Sequence, residues 1–412
     1  MSKLLSIGKV LRGLVREPSA PFRTAASLLT HRPAKPLYVG IYVTYRCNSR
    51  CRTCDIWMHE GRDEPRHAKD NELSSAELRR LVDELASLGT RQIGLWGGDA
   101  LLREDLEEVI SHASRHGIGT GVSFNGMYMS EERARSLVDA GLSRLDVSVD
   151  GPDAELHNHA RGLRLWDKMI AGVNMAHEAA RAAGRELKIG VNTVINRRNI
   201  GVLDRMIDLK DLFDFRDLGF DLYVAKFFRG GLRADGSPVP LMDRFDAGPA
   251  EAEDPLKIRI EEIELYHREV LPRLEEKALR REVSLLNPRP FELGSWGPES
   301  ILDRSYGKKV YERTYCFVPW YHAVIAGPEV APCTYAEANG AVLSMGNLRQ
   351  QTFTEIWRGE KYRAFRSAMK PPSFDFCGNC SSCRPYGQYV GENVSYMKYY
   401  PLKVLVREYL QD

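Results

Sequence analysis

The chemistry legible in this chain lies in eight cysteines that fall into two groups, with none between them. Cys47, Cys51 and Cys54 stand within eight residues of one another; Cys316, Cys333, Cys377, Cys380 and Cys383 occupy the C-terminal quarter. Three thiolates in a short loop can bind three irons of a cubane [4Fe–4S] cluster, leaving the fourth iron open to a substrate or cofactor. Zinc is the alternative: His59 is near enough to complete a set, although zinc sites more often pair CxxC units with a further Cys or His. In the second group zinc could use four of the five thiols, as in a zinc ribbon. Disulfides are the lesser reading, because short-spaced thiols in a chain lacking a secretory apolar segment favour metal or redox chemistry.

The rest of the composition narrows the class. The chain has 412 residues, with 58 Lys+Arg against 56 Asp+Glu and 43% apolar residues. That length suggests two or three domains, and the net charge of +2 argues against a nucleic-acid binder working by phosphate neutralisation. No run approaches the ~18–20 apolar residues of a membrane span, so the expected compartment is the cytoplasm. Residues 1–36 form a basic segment in which Leu4, Ile7, Leu11 and Leu14 recur at helical spacing. A short amphipathic helix over 3–16 follows, preferred as a helix docked on the protein's own surface over a membrane-surface contact through residues 1–16.

From residue 37 strands and helices alternate. Strands are expected at 37–44, 91–96, 121–124, 144–149, 187–194 and 220–225, separated by helices at 75–88, 103–116, 130–140, 166–183 and 199–213; Ser74 with Glu77 makes a capping box. Repeated βα units imply parallel strands with right-handed helical crossovers, and chemistry at the strands' C-terminal ends. The domains expected are the N-terminal segment 1–36, an α/β unit over 37–225, a connecting and substrate-capping insert over 226–310, a second cysteine-bearing unit over 311–390 and a tail over 391–412. The insert includes a charged helical pattern from 256 to 283, with Pro272 as an expected kink.

The CxxxCxxC spacing of Cys47, Cys51 and Cys54 directly after the first strand of such a chain resembles the radical S-adenosylmethionine (SAM) superfamily. Three further matches follow in order. Gly97-Gly98-Asp99-Ala100 resembles the family's GGEP segment, Asn125-Gly126 the turn after its third strand, and Ser148-Val149-Asp150-Gly151 its SxDG segment. The resemblance implies a partial (β/α)6 TIM-like barrel. It also implies a [4Fe–4S] cluster whose open iron is chelated by SAM, and reductive cleavage of SAM to a 5′-deoxyadenosyl radical. It implies SAM contacts from Gly97, Gly98, Asp99, Asn125, Ser148, Asp150 and Asn192, with Asn196 nearby. The sequence departs from the family in Asp99 for the commoner Glu, Ala100 for Pro, and Thr53 where an aromatic or Met is usual.

Cys316-Phe-Val-Pro-Trp320, Pro332-Cys333, Gly346-Asn347-Leu348, Phe353-Thr-Glu-Ile-Trp357 and the terminal Cys377-Gly-Asn-Cys380-Ser-Ser-Cys383 look like the SPASM or twitch extensions of the same superfamily, which hold auxiliary iron–sulfur clusters. Two fully ligated auxiliary cubanes need eight cysteines, and five are present. One auxiliary [4Fe–4S] cluster is therefore expected on Cys316, Cys333, Cys377 and Cys380, with Cys383 spare or substituting; a second, incompletely ligated cluster stays open. Such a cluster can accept an electron from a substrate radical, which favours net oxidation or bond formation over quenching.

The expected activity is hydrogen-atom abstraction from a small-molecule biosynthetic substrate, with an external electron donor of flavodoxin or ferredoxin type. A peptide- or protein-modifying maturase and a non-catalytic zinc or iron–sulfur protein are the alternatives. Asp217, Asp221, Lys226 and Arg229 are candidate bases near the sixth strand. His157 and His159 are weak metal candidates. Phe227, Phe228, Trp296, Trp320 and Tyr321 are candidates to line a cavity, with core packing the default.

Overall fold

The computed structural model describes residues 35–54, 71–213, 220–227, 256, 258–286, 318–332 and 344–368. The expected N-terminal helix, His59, the side chains of Asp217, Asp221, Lys226, Phe227, Phe228, Arg229 and Trp296, all five C-terminal cysteines and the tail lie outside these residues.

Period-2 burial builds the strands. In β1 (Tyr38–Thr44) Val39, Ile41 and Val43 are buried while Tyr38 and Tyr42 are half-buried, and the former join Leu78, Leu81, Val82 and Leu85 of helix α1 (Ser75–Ser87) in one core. The capping box of Ser74 and Glu77 is present. The βα rhythm continues through β2 (Gln92–Gly97), α2 (Leu106–Arg115), β3 (Gly119–Phe124), α3 (Glu131–Ala140), β4 (Arg144–Ser148), α4 (Ala154–Arg161), α5 (Trp166–Ala182), β5 (Lys188–Ile195) and β6 (Phe220–Phe227). These six strands pair in order and in parallel, giving the expected partial barrel.

The sheet extends further at both edges. After β6, helix α6 (Ile260–Leu265), a π turn (Tyr266–Val270) and helix α7 (Leu271–Arg280) lead to β7 (Ser284–Leu286), which pairs parallel with β6. Part of the expected insert is thus another helix and strand of the sheet. Pro272 falls at the start of α7, just after the π turn; a proline's missing N–H and the bulk of its ring disrupt regular i→i−4 bonding, and the wider turn accommodates both. At the opposite edge β8 (His322–Ala326) pairs parallel with β1, from Tyr38↔His322 to Tyr42↔Ala326, and continues antiparallel through β9 (Glu329–Ala331) and β10 (Gly346–Asn347). The described part of the C-terminal unit therefore shares a sheet with the barrel.

Three local readings change. The expected helix 103–116 is a 3-10 turn, Ala100–Leu102, followed by the shorter α2. The expected helix 199–213 is a 3-10 run, Ile200–Asp208, interrupted by the non-helical backbone of Val202, then one helical turn, Leu209–Leu212. Helix α4 was not expected; Asp153 caps its start and Gly162, at φ 71°, ends it. Trp320 is part of the core, as the packing default holds, and Tyr321 is likewise buried. Among the described residues no helix is long and apolar enough to cross a membrane.

On the sheet face away from the helix core, Gly40, Gly94 and Gly121 stand side by side on β1, β2 and β3. A Cβ on Gly40 would fall 2.2 Å from Trp96, and one on Gly94 2.2 Å from the Tyr38 hydroxyl. The glycine row makes room for these aromatics, and the Arg144–Asp146 ion pair (2.7 Å) sits on the same face of β4.

The C-terminal unit is clamped by a buried cation. Helices α8 (Phe353–Arg358) and α9 (Glu360–Ala368) enclose Arg366, whose guanidinium lies over the Trp357 and Tyr362 rings at 4.5 and 4.0 Å. It donates to the Pro319 carbonyl (2.8 Å) and the Trp357 carbonyl (2.9 Å). Replacing Arg366 with Met leaves both carbonyls without this donor and removes the cation–π contacts. A loss of about 2–4 kcal/mol is expected, read as a lower urea midpoint for Arg366→Met than for the parent chain.

Candidate functional site

The loop after β1 has no regular secondary structure, so its shape comes from what surrounds it. Gly98 N–H donates to the Thr44 carbonyl (3.0 Å) and Asp99 N–H to the Arg46 carbonyl (2.9 Å). A Cβ on Gly98 would stand 2.2 Å from Arg46 O and 2.7 Å from Cys47 Cβ. Glycine there lets the strand-end loop of β2 lie directly on the cysteine loop.

Side chains complete the support. Asp99 accepts from Leu101 N–H with one carboxylate oxygen (3.1 Å) and from Asn48 Nδ2 with the other (3.2 Å). Asp99 is buried, which raises its pKa against the pull of those bonds. Asn125, at the end of β3, donates to Asn48 Oδ1 (2.7 Å) and Ser49 Oγ (3.0 Å), and its own Oδ1 accepts from Met127 N–H (2.9 Å). Asn48 is thus the hinge between the second and third strand ends.

The third support comes from α4. Arg52 N–H donates to the Ala160 carbonyl (2.9 Å). Arg161 Nη1 donates to Cys51 Sγ (3.6 Å), while its Nε lies 2.9 Å from Asp150 Oδ2 as an ion pair. Asp150 is fully buried, and its other oxygen accepts from Val194 N–H (2.8 Å).

The residues expected to meet SAM therefore divide. Asp99, Asn125 and Asp150 are engaged in holding the cysteine loop, and Gly98 in its close packing. Gly97 and Ser148 are half-buried at the C-terminal ends of β2 and β4, and Asn192, half-buried within β5, is paired in register with Ser148. Asn196 is buried in the turn after β5, where its Oδ1 accepts from Arg198 N–H (3.0 Å) and its Nδ2 donates to the Val194 carbonyl (3.2 Å). Sequence reasoning missed Asn48, Ser49 and Arg161. The first two lie inside the cysteine motif itself, and Arg161 could have been found from the Asp153 cap and the Arg161-Gly162 stop that delimit α4.

Cys51 is buried, Cys47 and Cys54 half-buried, and none is in a disulfide. Burial pushes the Cys47 thiol up to about 11, so metal binding there must displace a proton. Three cysteine sulfurs in one short loop are a donor set that fits three irons of a [4Fe–4S] cluster.

The two weak metal candidates part company. His159 is half-buried. His157 is fully buried with its ring edge-on to Trp166 (5.6 Å), and neither ring nitrogen has a hydrogen-bond partner among the described residues.

Residues 41–195 match the radical SAM superfamily, and residues 316–383 match SPASM, an iron–sulfur cluster-binding domain. The chain is 28% identical to an AdoMet-dependent heme synthase of Oleidesulfovibrio alaskensis, over 83% of this chain and 78% of that protein. It is 30% identical to a PqqA peptide cyclase of Rhodopseudomonas palustris, over 42% of this chain and 43% of that one. The fold is that of Streptococcus suis SuiB bound to S-adenosylmethionine, with TM-score 0.56 at 14% identity, covering 84% of this chain and 71% of that one.

Two outcomes check this site. Gly98→Val should force the two loops apart, and after anaerobic reconstitution its iron should fall by about four per chain, one cubane's share. Burial holds the His157 pKa down to about 3. In the unfolded chain it titrates near ~6.5, so between these values the unfolded state binds the extra proton and stability falls as pH falls. At pH 5 that costs up to about 2 kcal/mol, and His157→Phe should show a smaller drop in urea midpoint between pH 7.5 and 5 than the parent chain.

With its cysteine loop held at the strand ends of an open parallel sheet, and with both matched segments in order, the chain belongs to the radical SAM superfamily as an enzyme using SAM and a [4Fe–4S] cluster, with a C-terminal SPASM domain for auxiliary iron–sulfur clusters.

Proposed function

We propose that Cys47, Cys51 and Cys54 hold the SAM-binding [4Fe–4S] cluster, and that the enzyme oxidises a small-molecule biosynthetic substrate of the heme (tetrapyrrole) class. The observation that carries the substrate reading is the extent of similarity. The heme synthase relative matches over 83% of the chain, through both the barrel and the C-terminal unit, whereas the peptide cyclase matches over 42%.

When bound, the cluster and SAM supply one-electron reduction and hydrogen-atom abstraction. The chain's own part is positioning: Gly97, Ser148 and Asn192 approach SAM from the strand ends, and Asp99, Asn125 and Asp150 keep the cysteine loop in place. Cys316, Cys333, Cys377 and Cys380 would hold one auxiliary cluster, with Cys383 spare, and such a cluster would supply an acceptor for the electron left on the substrate. Electrons enter from a flavodoxin- or ferredoxin-type donor in the cytoplasm. Residues 226–310, between the sixth strand and the C-terminal unit, set substrate choice. The peptide-maturase reading is the second one, supported by the peptide cyclase relative.

Anaerobic reconstitution with iron and sulfide should give about eight irons per chain, two cubanes' worth, and reductant-dependent 5′-deoxyadenosine from SAM. The triple variant Cys47→Ala/Cys51→Ala/Cys54→Ala should lose about four irons and all deoxyadenosine. An iron porphyrin bearing carboxylate side chains should bind with a shift of its absorption band. Absence of that shift, with binding of a peptide substrate instead, would sink the tetrapyrrole reading and leave the maturase reading standing.

A further inference from the structure

Helix α4 stands against the cysteine loop at three consecutive residues. The Ala160 carbonyl accepts from Arg52 N–H (2.9 Å), the Arg161 side chain reaches Cys51, and a Cβ on Gly162 would fall 2.3 Å from the Arg50 carbonyl. Only a glycine lets the helix end come so close. The arrangement presents one guanidinium to one sulfur in a place with almost no solvent: Cys51, Asp150 and Arg161 are 5%, 0% and 9% exposed.

We propose that Arg161, oriented by Asp150, is a positioning residue that sets the reduction potential of the SAM-binding cluster through Cys51. The inference rests on the reading of Cys51 as a ligand of that cluster, and is independent of the substrate.

Geometry and charge give the reason. The guanidinium fork uses Nη1 toward the sulfur and Nε toward the carboxylate at once, which the single nitrogen of a lysine cannot do. The negative field of Asp150, Cys51 and Cys54 keeps Arg161 charged against its burial. A [4Fe–4S]2+ core with three thiolates carries a net charge of −1, and one-electron reduction by the external donor takes it to −2. A hydrogen-bond-donating cation at a ligand sulfur stabilises the more negative state and raises the potential. Asp150 opposes this, because its carboxylate offsets part of the guanidinium charge while fixing its direction. The two residues should therefore act on the potential with opposite signs, which a purely structural ion pair would not do.

The test is a redox titration of the anaerobically reconstituted full-length holoprotein, following the reduced-cluster EPR signal that changes on adding SAM. Arg161→Gln should lower the equilibrium constant for reduction by about tenfold, or ~59 mV for a one-electron couple. Asp150→Asn should move it the other way, and Arg161→Lys should fall between Arg161→Gln and the parent. Arg161→Gln alone leaves Asp150 as a buried unpaired charge; if it does not hold iron, the neutral pair Asp150→Asn/Arg161→Gln replaces it and should still titrate below Asp150→Asn. Unchanged potentials in iron-replete variants, or shifts of the same sign in Arg161→Gln and Asp150→Asn, would overturn the proposal. Cys51→Ala separates the two readings. Loss of the SAM-responsive signal upholds the ligand assignment, so that unchanged potentials would then count against Arg161 alone; retention of the signal would remove the ligand assignment, and the proposal with it.

Discussion

The cysteine loop owes its shape to a small set of polar contacts from the strand ends around it. The loop's internal bonds, such as Cys54 N–H to the Cys51 carbonyl (3.2 Å), meet only part of its polar groups, and the second, third and fourth βα connections supply further partners. The β2 end provides two backbone donors and Asp99, the β3 end provides Asn125, and α4 provides Arg161 and the Ala160 carbonyl. Each contact crosses from one connection to another. The loop is therefore fixed only once the parallel strands have brought those connections together, and the metal-binding geometry is a property of the assembled sheet.

The sheet joins the barrel to the described part of the C-terminal unit. β8 hydrogen-bonds along β1, the strand that delivers the cysteine loop. Glu84 on α1 accepts from Thr354 N–H (2.9 Å), and Arg349 pairs with Glu77 (3.1 Å). The chain that carries the second cysteine group is thus tied to the same strand and helix that frame the first.

Much of this was readable beforehand. The six strands and their parallel order followed from the alternation of periods, and the cubane reading from three closely spaced thiols. Helix α4 was missed because eight residues with mixed polarity, between Pro152 and Gly162, look like a loop to a periodicity test. β7 was missed because it is three residues long, and β8 because strand partners distant in sequence leave no mark on local pattern. That Asp99 and Asn125 bond to the cysteine loop, and that Asp150 pairs with Arg161 beside it, was not legible, since a polar residue at a strand end leaves no local mark of its partner.

The sequence alone determined the chemistry: eight cysteines split three and five, glycines where loops must touch, and strand-helix alternation that puts the first three cysteines at one end of a parallel sheet. Those are properties of residue type and spacing, carried by the chain whatever its final shape. The tertiary structure decided the second layer: which polar groups hold the loop, and that Arg161 reaches Cys51 across 110 positions. Such pairings depend on which surfaces pack together, and burial makes them matter, because a charge without water must find its partner within the protein.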